Sequence, residues 1–290
     1  MATTAQWIAG ARPRTLPAAV APVLVGTGAA AAIDHTDLGL ALLALVVSLA
    51  LQVGVNYAND YSDGIRGTDA ERVGPVRLVG QRLAPARNVK LMAFLSFGLA
   101  GLAGLALCAL AGTLWLVLVG ALCVLAAWFY TGGSRPYGYS GLGEIFVFVF
   151  FGLVATLGTL YPQTHRLTGL GVLGALGVGA LASAILVANN LRDREGDAVT
   201  GKHTLAVRLG DARTRILYVA LVASAFVCGG LAALSAPWAL LSLIALPLGA
   251  VQALRVWRGA TGRELIPVLA GTGATQLVWS TLLAVGLALA

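Results

Sequence analysis

Nine stretches of this 290-residue chain are apolar for about 20 residues each, the length an α-helix needs to cross the hydrocarbon of a bilayer. They cover 16–33, 38–58, 91–111, 114–131, 142–161, 168–189, 215–235, 238–256 and 265–288. A chain placed in lipid must satisfy its backbone N–H and C=O groups internally, and helices do so within each segment. The sequence is 58% hydrophobic and 11% charged, with a mean hydropathy of +0.86, a balance foreign to a water-soluble domain of this size. The expectation is therefore an all-α integral membrane protein with nine transmembrane helices, forming a single polytopic domain over residues 1–290. The Met-Ala-Thr-Thr start has no basic stretch followed by a cleavable apolar one, so no signal peptide is expected. Cys108, Cys123 and Cys228 lie inside apolar spans with neither metal-site nor disulfide spacing, and read as packing residues.

Charge fixes an orientation for such a bundle. Arg66, Arg72, Arg77, Arg82, Arg87 and Lys90 fall between spans 2 and 3, and Arg192, Arg194, Lys202, Arg208, Arg213 and Arg215 between spans 6 and 7. With Arg12, Arg14, Arg135, Arg255, Arg258 and Arg263, 18 of the 19 Lys and Arg stand on one side, and Arg166 alone stands opposite. The positive-inside rule makes that side cytoplasmic, with the N-terminus inside and the C-terminus outside. The two long connections on it, after spans 2 and 6, are expected to be cap segments.

Carboxylates are scarce, 12 Asp and Glu in all, and four of them form two spaced sets at the cytoplasmic ends of spans: Asn56-x3-Asp60-x2-Asp63 and Asn189-x3-Asp193-x3-Asp197. On a helix these fall at i, i+4, i+7 and at i, i+4, i+8, so each set lines one face. Carboxylates at a membrane edge are costly unless they pair or bind a cation. Two sets of hard oxygen ligands suit Mg²⁺ that keeps some water and bridges to substrate phosphates. Asp60, Asp63, Asp193 and Asp197 are the candidate metal ligands and catalytic groups. Arg66 and Lys202, which follow the two sets, are candidates to hold diphosphate oxygens.

Two further patterns stand out. Glycines recur as Gly98-x2-Gly101-x2-Gly104 and as Gly169-x-Gly171-x2-Gly174-x2-Gly177-x-Gly179, and are expected to let helices approach closely. Both Asp sets also lead to a Val-Arg-Leu stretch closed by glycine, 76–80 and 207–210, which reads as a weak internal duplication.

The stretch from Asn56 through Asn59-Asp60-Tyr61-Ser62-Asp63 to Asp69 resembles the first motif of the UbiA superfamily of membrane prenyltransferases, and Asn189 to Asp197, continuing to Gly210, resembles the second. With Ala11-Arg-Pro-Arg-Thr-Leu16, the likeness is to the branch of that superfamily that prenylates 1,4-dihydroxy-2-naphthoate, and it covers essentially the whole chain. The resemblance implies a UbiA-type bundle and a Mg²⁺-dependent transfer of a polyprenyl chain from its diphosphate to the aromatic acid, with loss of CO₂ and diphosphate. It makes Asn56, Asn59 and Asn189 substrate-binding residues beside the aspartates. Tyr130 and Arg135 resemble the family's Tyr-x-x-x-Lys/Arg segment with one extra residue between them, which implies a cation-sheltering ring at Tyr130 and an anion contact at Arg135. The first motif has two residues between Asp60 and Asp63, where many members have three, so either Asp63 or Asp69 completes that site.

Other residues divide between roles. Glu144 reads as a partner of Arg135 or a helix cap, and His203 as a shaper of the second cap. Trp7 reads as an interfacial anchor; Gln52, Thr156, Thr159 and Gln276 are expected to face the bundle interior. The rival acceptors on the same fold are 4-hydroxybenzoate, homogentisate, chlorophyllide and haem. A CDP-alcohol phosphatidyltransferase would need a longer Asp-Gly-x2-Ala-Arg motif, which Asp63-Gly64-Ile65-Arg66 does not continue. A secondary transporter would place its carboxylates at the centre of spans rather than at their ends. The partners expected are the two substrates and membrane lipid of a cell membrane, with no nucleic acid.

Overall fold

The computed structural model describes residues 2–67, 76–134 and 136–290, and every regular element among them is helical. A short α1 (Thr4–Gly10) leads into α2 (Pro17–Ala31), α3 (Leu38–Arg66), α4 (Ala86–Leu110) and α5 (Leu116–Phe129). Then come α6 (Gly143–Thr164), α7 (Gly169–Val199), α8 (Leu205–Ala232), α9 (Pro237–Trp257) and α10 (Leu265–Ala288). Each of the nine apolar runs lies on one of the helices α2 to α10. Among the described residues seven of these, α3, α4 and α6 to α10, are long and apolar enough to cross a membrane, whereas α2 has 15 residues and α5 has 14.

Helix ends depart from the apolar runs in an informative way. The Asp37 side chain caps α3 by accepting the Leu40 N–H at 3.0 Å, and Thr168 caps α7 by accepting the Gly171 N–H at 3.0 Å. Neither acidic set contains a proline, so both helices run on through them, α3 to Gly67 at φ 73° and α7 to Val199. The expected long second cap therefore shrinks to residues 200–204, and the second acidic set lies on the helix its spacing implied. The expected duplication also ends at the helices. Residues 76–80 are coil and turn, whereas 207–210 belong to α8, with Gly210 turning at φ 74°.

The principal core lies where α2, α7, α8 and α10 meet, around the fully buried Trp279, Tyr218, Leu181 and Leu283. Glycines on α7 make that packing possible: a Cβ at Gly177 would stand 2.3 Å from the Trp279 ring, and one at Gly174 2.3 Å from Val25. Gly152 of α6 faces α7 so closely that a Cβ there would lie 2.5 Å from the Gly179 Cα. The α4 run behaves otherwise. Gly98 and Gly101 face open space, and a Cβ at Gly104 would be 3.8 Å from Val47, so among the described residues no helix closes on them.

The far end of the bundle closes by polar and aromatic pairs: the Asp37 N–H donates to Gln163 Oε1 at 3.1 Å, and Trp115 meets Tyr161 edge-on at 5.5 Å. The opposite end gathers α1, the C-terminal ends of α3 and α7, and the α5–α6 connector. There Trp7 packs on Tyr57, whose hydroxyl donates to the Trp7 carbonyl at 2.9 Å.

Candidate active site

The site divides into an apolar cavity and a charged end. The cavity holds about 330 Å³ and is walled by α3, α4, α5 and α6, with Leu186 of α7. Along α3 it runs from Ala44 to Asn59, which at 1.5 Å per residue is about 22 Å. Asn56, Asn59, Gln52 and Tyr130 provide its polar end, and Gly158, Thr159 and Leu116 line it elsewhere. Of the four residues expected to face the interior, Gln52 and Thr159 line the cavity, Thr156 is buried, and buried Gln276 donates to the Val178 carbonyl at 3.3 Å. Cys108 and Cys123 are part of the cavity wall.

On α6 the lining residues keep to a four-residue step, Phe146, Phe150, Val154, Gly158 beside Val147, Phe151, Ala155, Thr159. In a regular α-helix such a step overshoots a full turn by about 40° each time and would wind away from the cavity. Residues Phe148–Val154 are π-helical, and the wider π turn undershoots instead. The two deviations offset, so one face of α6 stays on the cavity over three successive steps.

The charged end is built one turn further along α3. Asp60 is fully buried and accepts the backbone N–H groups of Leu78 (2.7 Å) and Val79 (3.1 Å), fastening the segment after the first motif. Asp63, also buried, accepts the Tyr139 hydroxyl at 2.5 Å and lies 3.8 Å from Lys202 Nζ and 4.0 Å from an Arg77 nitrogen. Buried charges of this kind persist only when matched, and here acid and base are both inside. Asn56 Nδ2 donates to the Ala11 carbonyl and to Thr15 Oγ1, both at 2.9 Å, tying α3 to the N-terminal segment. Asn59 Oδ1 accepts the Thr131 hydroxyl at 2.8 Å, and Arg66 donates to the carbonyls of Thr131 and Gly133. Both thus hold the connector that carries Tyr130.

The second motif is arranged differently. The Arg192 guanidinium makes two 2.7 Å bonds to Asp193 and donates to Asn189 Oδ1 at 2.9 Å. Asp197 is buried, and its carbonyl accepts the Lys202 N–H at 2.8 Å through the turn at Gly201. Asn190, not Asn189, turns inward and donates to Glu144 at 2.8 Å, while Ser183 donates to the Glu144 carbonyl at 3.1 Å. Glu144 is thereby an inter-helix partner of α7. Arg135 and Asp69 lie outside the described residues.

The structure thus brings Asp60, Asp63, Asn56, Asn59, Arg66, Lys202 and Tyr130 to one end of the bundle. It also shows two residues there that no site reading named, Arg77 and Tyr139. The one local sign of the latter is three tyrosines, 130, 137 and 139, within ten residues of the connector. Tyr137 lines the cavity and donates to the Ala126 carbonyl at 2.8 Å, and burial, with Cys123 nearby, pushes its hydroxyl above the usual range, so it stays a donor.

The donor set suits a hard divalent cation. Among the described residues no three acidic, His or Cys side chains close on one point, which is not the all-protein cage of a resident ion. It fits Mg²⁺ held by one or two carboxylates and completed by phosphate oxygens and water.

A family profile for the UbiA prenyltransferase family matches residues 19–265. A relative from Mycobacterium tuberculosis named 1,4-dihydroxy-2-naphthoate octaprenyltransferase is 57% identical over 99% of this chain and 98% of its own length. A relative of the same name from Escherichia coli is 38% identical over 98% and 95%. The fold is similar to that of a UbiA homolog from Aeropyrum pernix K1, with TM-score 0.72 at 15% identity over 92% of this chain and 97% of that one. It is also similar to a UbiA homolog from Archaeoglobus fulgidus bound to GPP and Mg²⁺, with TM-score 0.66 at 15% identity over 96% and 99%.

Proposed function

The chain belongs to the UbiA prenyltransferase family, and from that premise we infer that it transfers a polyprenyl chain from polyprenyl diphosphate to 1,4-dihydroxy-2-naphthoate, releasing diphosphate and CO₂ and giving the quinol, the reduced form of demethylmenaquinone. The observation that carries the reading is the juxtaposition of an apolar cavity about 22 Å long with a buried charged end one helical turn beyond it. A polyprenyl diphosphate has the same two parts in the same order.

The roles follow from what each residue touches. The apolar wall of the cavity shelters the chain and keeps water from the allylic carbon while the C–O bond breaks. Lys202 and Arg77 face Asp63 and stand ready to hold non-bridging diphosphate oxygens, opposing the negative charge that grows as the diphosphate leaves. Mg²⁺, when bound, would supply further positive charge to that leaving group. Asp63, Asp193 and Asp197 are its proposed holders, with Asn189 beside them. Asp60 remains in that set, because each carboxylate oxygen keeps a lone pair beyond the N–H it accepts. Arg66 orients the Tyr130 connector, and the Tyr130 ring at the cavity's polar end faces the developing cation. Arg135 is proposed to meet the acceptor carboxylate. Loss of CO₂ from the alkylated carbon restores the aromatic ring.

In the membrane, α2 and α5 are proposed as the remaining two of nine spans. The motif end is taken as cytoplasmic on the strength of its Lys and Arg. The whole of 1–290 is taken as one domain in the cell membrane.

The test uses purified protein in detergent with an all-trans polyprenyl diphosphate and Mg²⁺, offering 1,4-dihydroxy-2-naphthoate and 4-hydroxybenzoate side by side. The expected result is prenylated naphthoate with CO₂ release, reduced at least about 100-fold in Asp193→Ala, the scale of losing one charge-stabilising group. Product from the benzoate alone would overturn the choice of acceptor.

A further inference from the structure

Tyr139 stands where three segments remote in sequence converge. Its hydroxyl donates to Asp63 Oδ1 of the first motif at 2.5 Å. Its ring carries the Lys202 ammonium 4.6 Å from the centroid, and the Arg66 guanidinium 5.6 Å from it. Its carbonyl accepts the His203 N–H at 2.9 Å, so the main chain next to Lys202 is pinned as well.

We propose that Tyr139 is a positioning residue for the diphosphate and its cation, holding the Asp63 carboxylate and the Lys202 ammonium in register. The proposal rests on the prenyl-transfer reading of this site. The hydroxyl and the ring do separable work. The hydroxyl takes a proton-donor position on Oδ1 and so sets the rotation of the carboxylate, leaving Oδ2 toward Arg77 at 4.0 Å. A carboxylate fixed in this way presents its oxygens to a metal in one orientation, the service that partners behind a ligand commonly provide. The ring acts on the ammonium. A cation over an aromatic face keeps part of its stabilisation without a full ion pair. Lys202, 3.8 Å from Asp63, can therefore lean toward an arriving diphosphate without being stranded. A tyrosine that merely filled space would contribute its ring but would not need its hydroxyl on Asp63.

Two variants separate these roles. Tyr139→Phe keeps the ring over Lys202 and removes the hydroxyl, whereas Tyr139→Leu removes both. Binding of inorganic diphosphate to the detergent-purified protein is titrated by calorimetry, once in EDTA and once across a Mg²⁺ series. Thermal midpoints and the acceptor KM are recorded on the same preparations. In Tyr139→Phe the Mg²⁺ needed for half-maximal diphosphate binding should rise about tenfold. Its binding in EDTA and its acceptor KM should match wild type, and its thermal midpoint should fall by no more than the loss of one hydrogen bond accounts for. Tyr139→Leu should weaken binding in EDTA too. A wild-type Mg²⁺ requirement in Tyr139→Phe would overturn the proposal, as would equal losses in both variants under both conditions. If the wild type prenylates neither acceptor yet binds diphosphate in a Mg²⁺-dependent way, the naphthoate reading fails and the same titrations still decide the role of Tyr139.

Discussion

At the scale of single residues, Asp60 combines two tasks that ordinary substitution would confuse. Its carboxylate receives the N–H groups of Leu78 and Val79 deep in the protein. Removing it strands the buried Leu78 donor and the partly buried Val79 donor, and an unsatisfied buried donor costs about 1–3 kcal/mol. Asp60→Ala should therefore lower stability by about 2–4 kcal/mol, with Asp60→Asn milder because its carbonyl still accepts one bond. Thermal melts of both variants against wild type in detergent would check this, and an Asp60→Ala midpoint equal to that of wild type would refute it. The helical period alone placed Asn56, Asp60 and Asp63 on one face, because that depends on a few consecutive residues. It was silent on Tyr139, whose bond to Asp63 spans 76 positions and exists only after α3 and the connector are packed.

At the scale of helices, the glycines are the instructive case. Gly98, Gly101 and Gly104 repeat at the same interval as Gly171, Gly174 and Gly177, so their patterns in sequence are alike. The structure turns the second trio onto Leu160, Val25 and Trp279, while Gly98 and Gly101 face outward. Spacing tells which residues share a stripe; the neighbours of that stripe are a property of the bundle. Gly152→Ala should destabilise by about 1–3 kcal/mol, because its new methyl would meet the Gly179 backbone rather than a side chain that can yield. Gly98→Ala should be neutral or stabilising by up to about 1 kcal/mol, since alanine is the better helix former. Denaturation of the two variants in parallel provides the measurement, and equal losses would contradict the assignment of contacts.

Over the whole molecule, the nine apolar runs announced a helical bundle, and each run did fall on a helix. The cavity could not be read in the same way, because its wall joins stripes from several helices, and which stripes face one another is decided only when the bundle packs. That shared wall makes a prediction. Gly120 of α5 lines the cavity, with nothing within 4 Å of where its side chain would begin. Gly120→Phe should fill part of the channel and raise KM for long polyprenyl diphosphates by about tenfold, the equivalent of a modest overpacking penalty. Short-chain diphosphates should be turned over as before. A uniform change across chain lengths, measured on a graded substrate series, would mean that the chain lies elsewhere.

The placement of Arg77 and Lys202 around Asp63 has a consequence for how ligands enter. The three charges already answer one another before any ligand arrives. A lone polyanion would weaken the hold of the two bases on the carboxylate; a lone dication would weaken the hold of the carboxylate on the bases. Each guest arriving alone therefore gives up part of a buried charge pairing, and each offsets the loss faced by the other. In thermodynamic terms the two binding events are positively linked, and by reciprocity the anion must tighten the cation by the same factor as the cation tightens the anion.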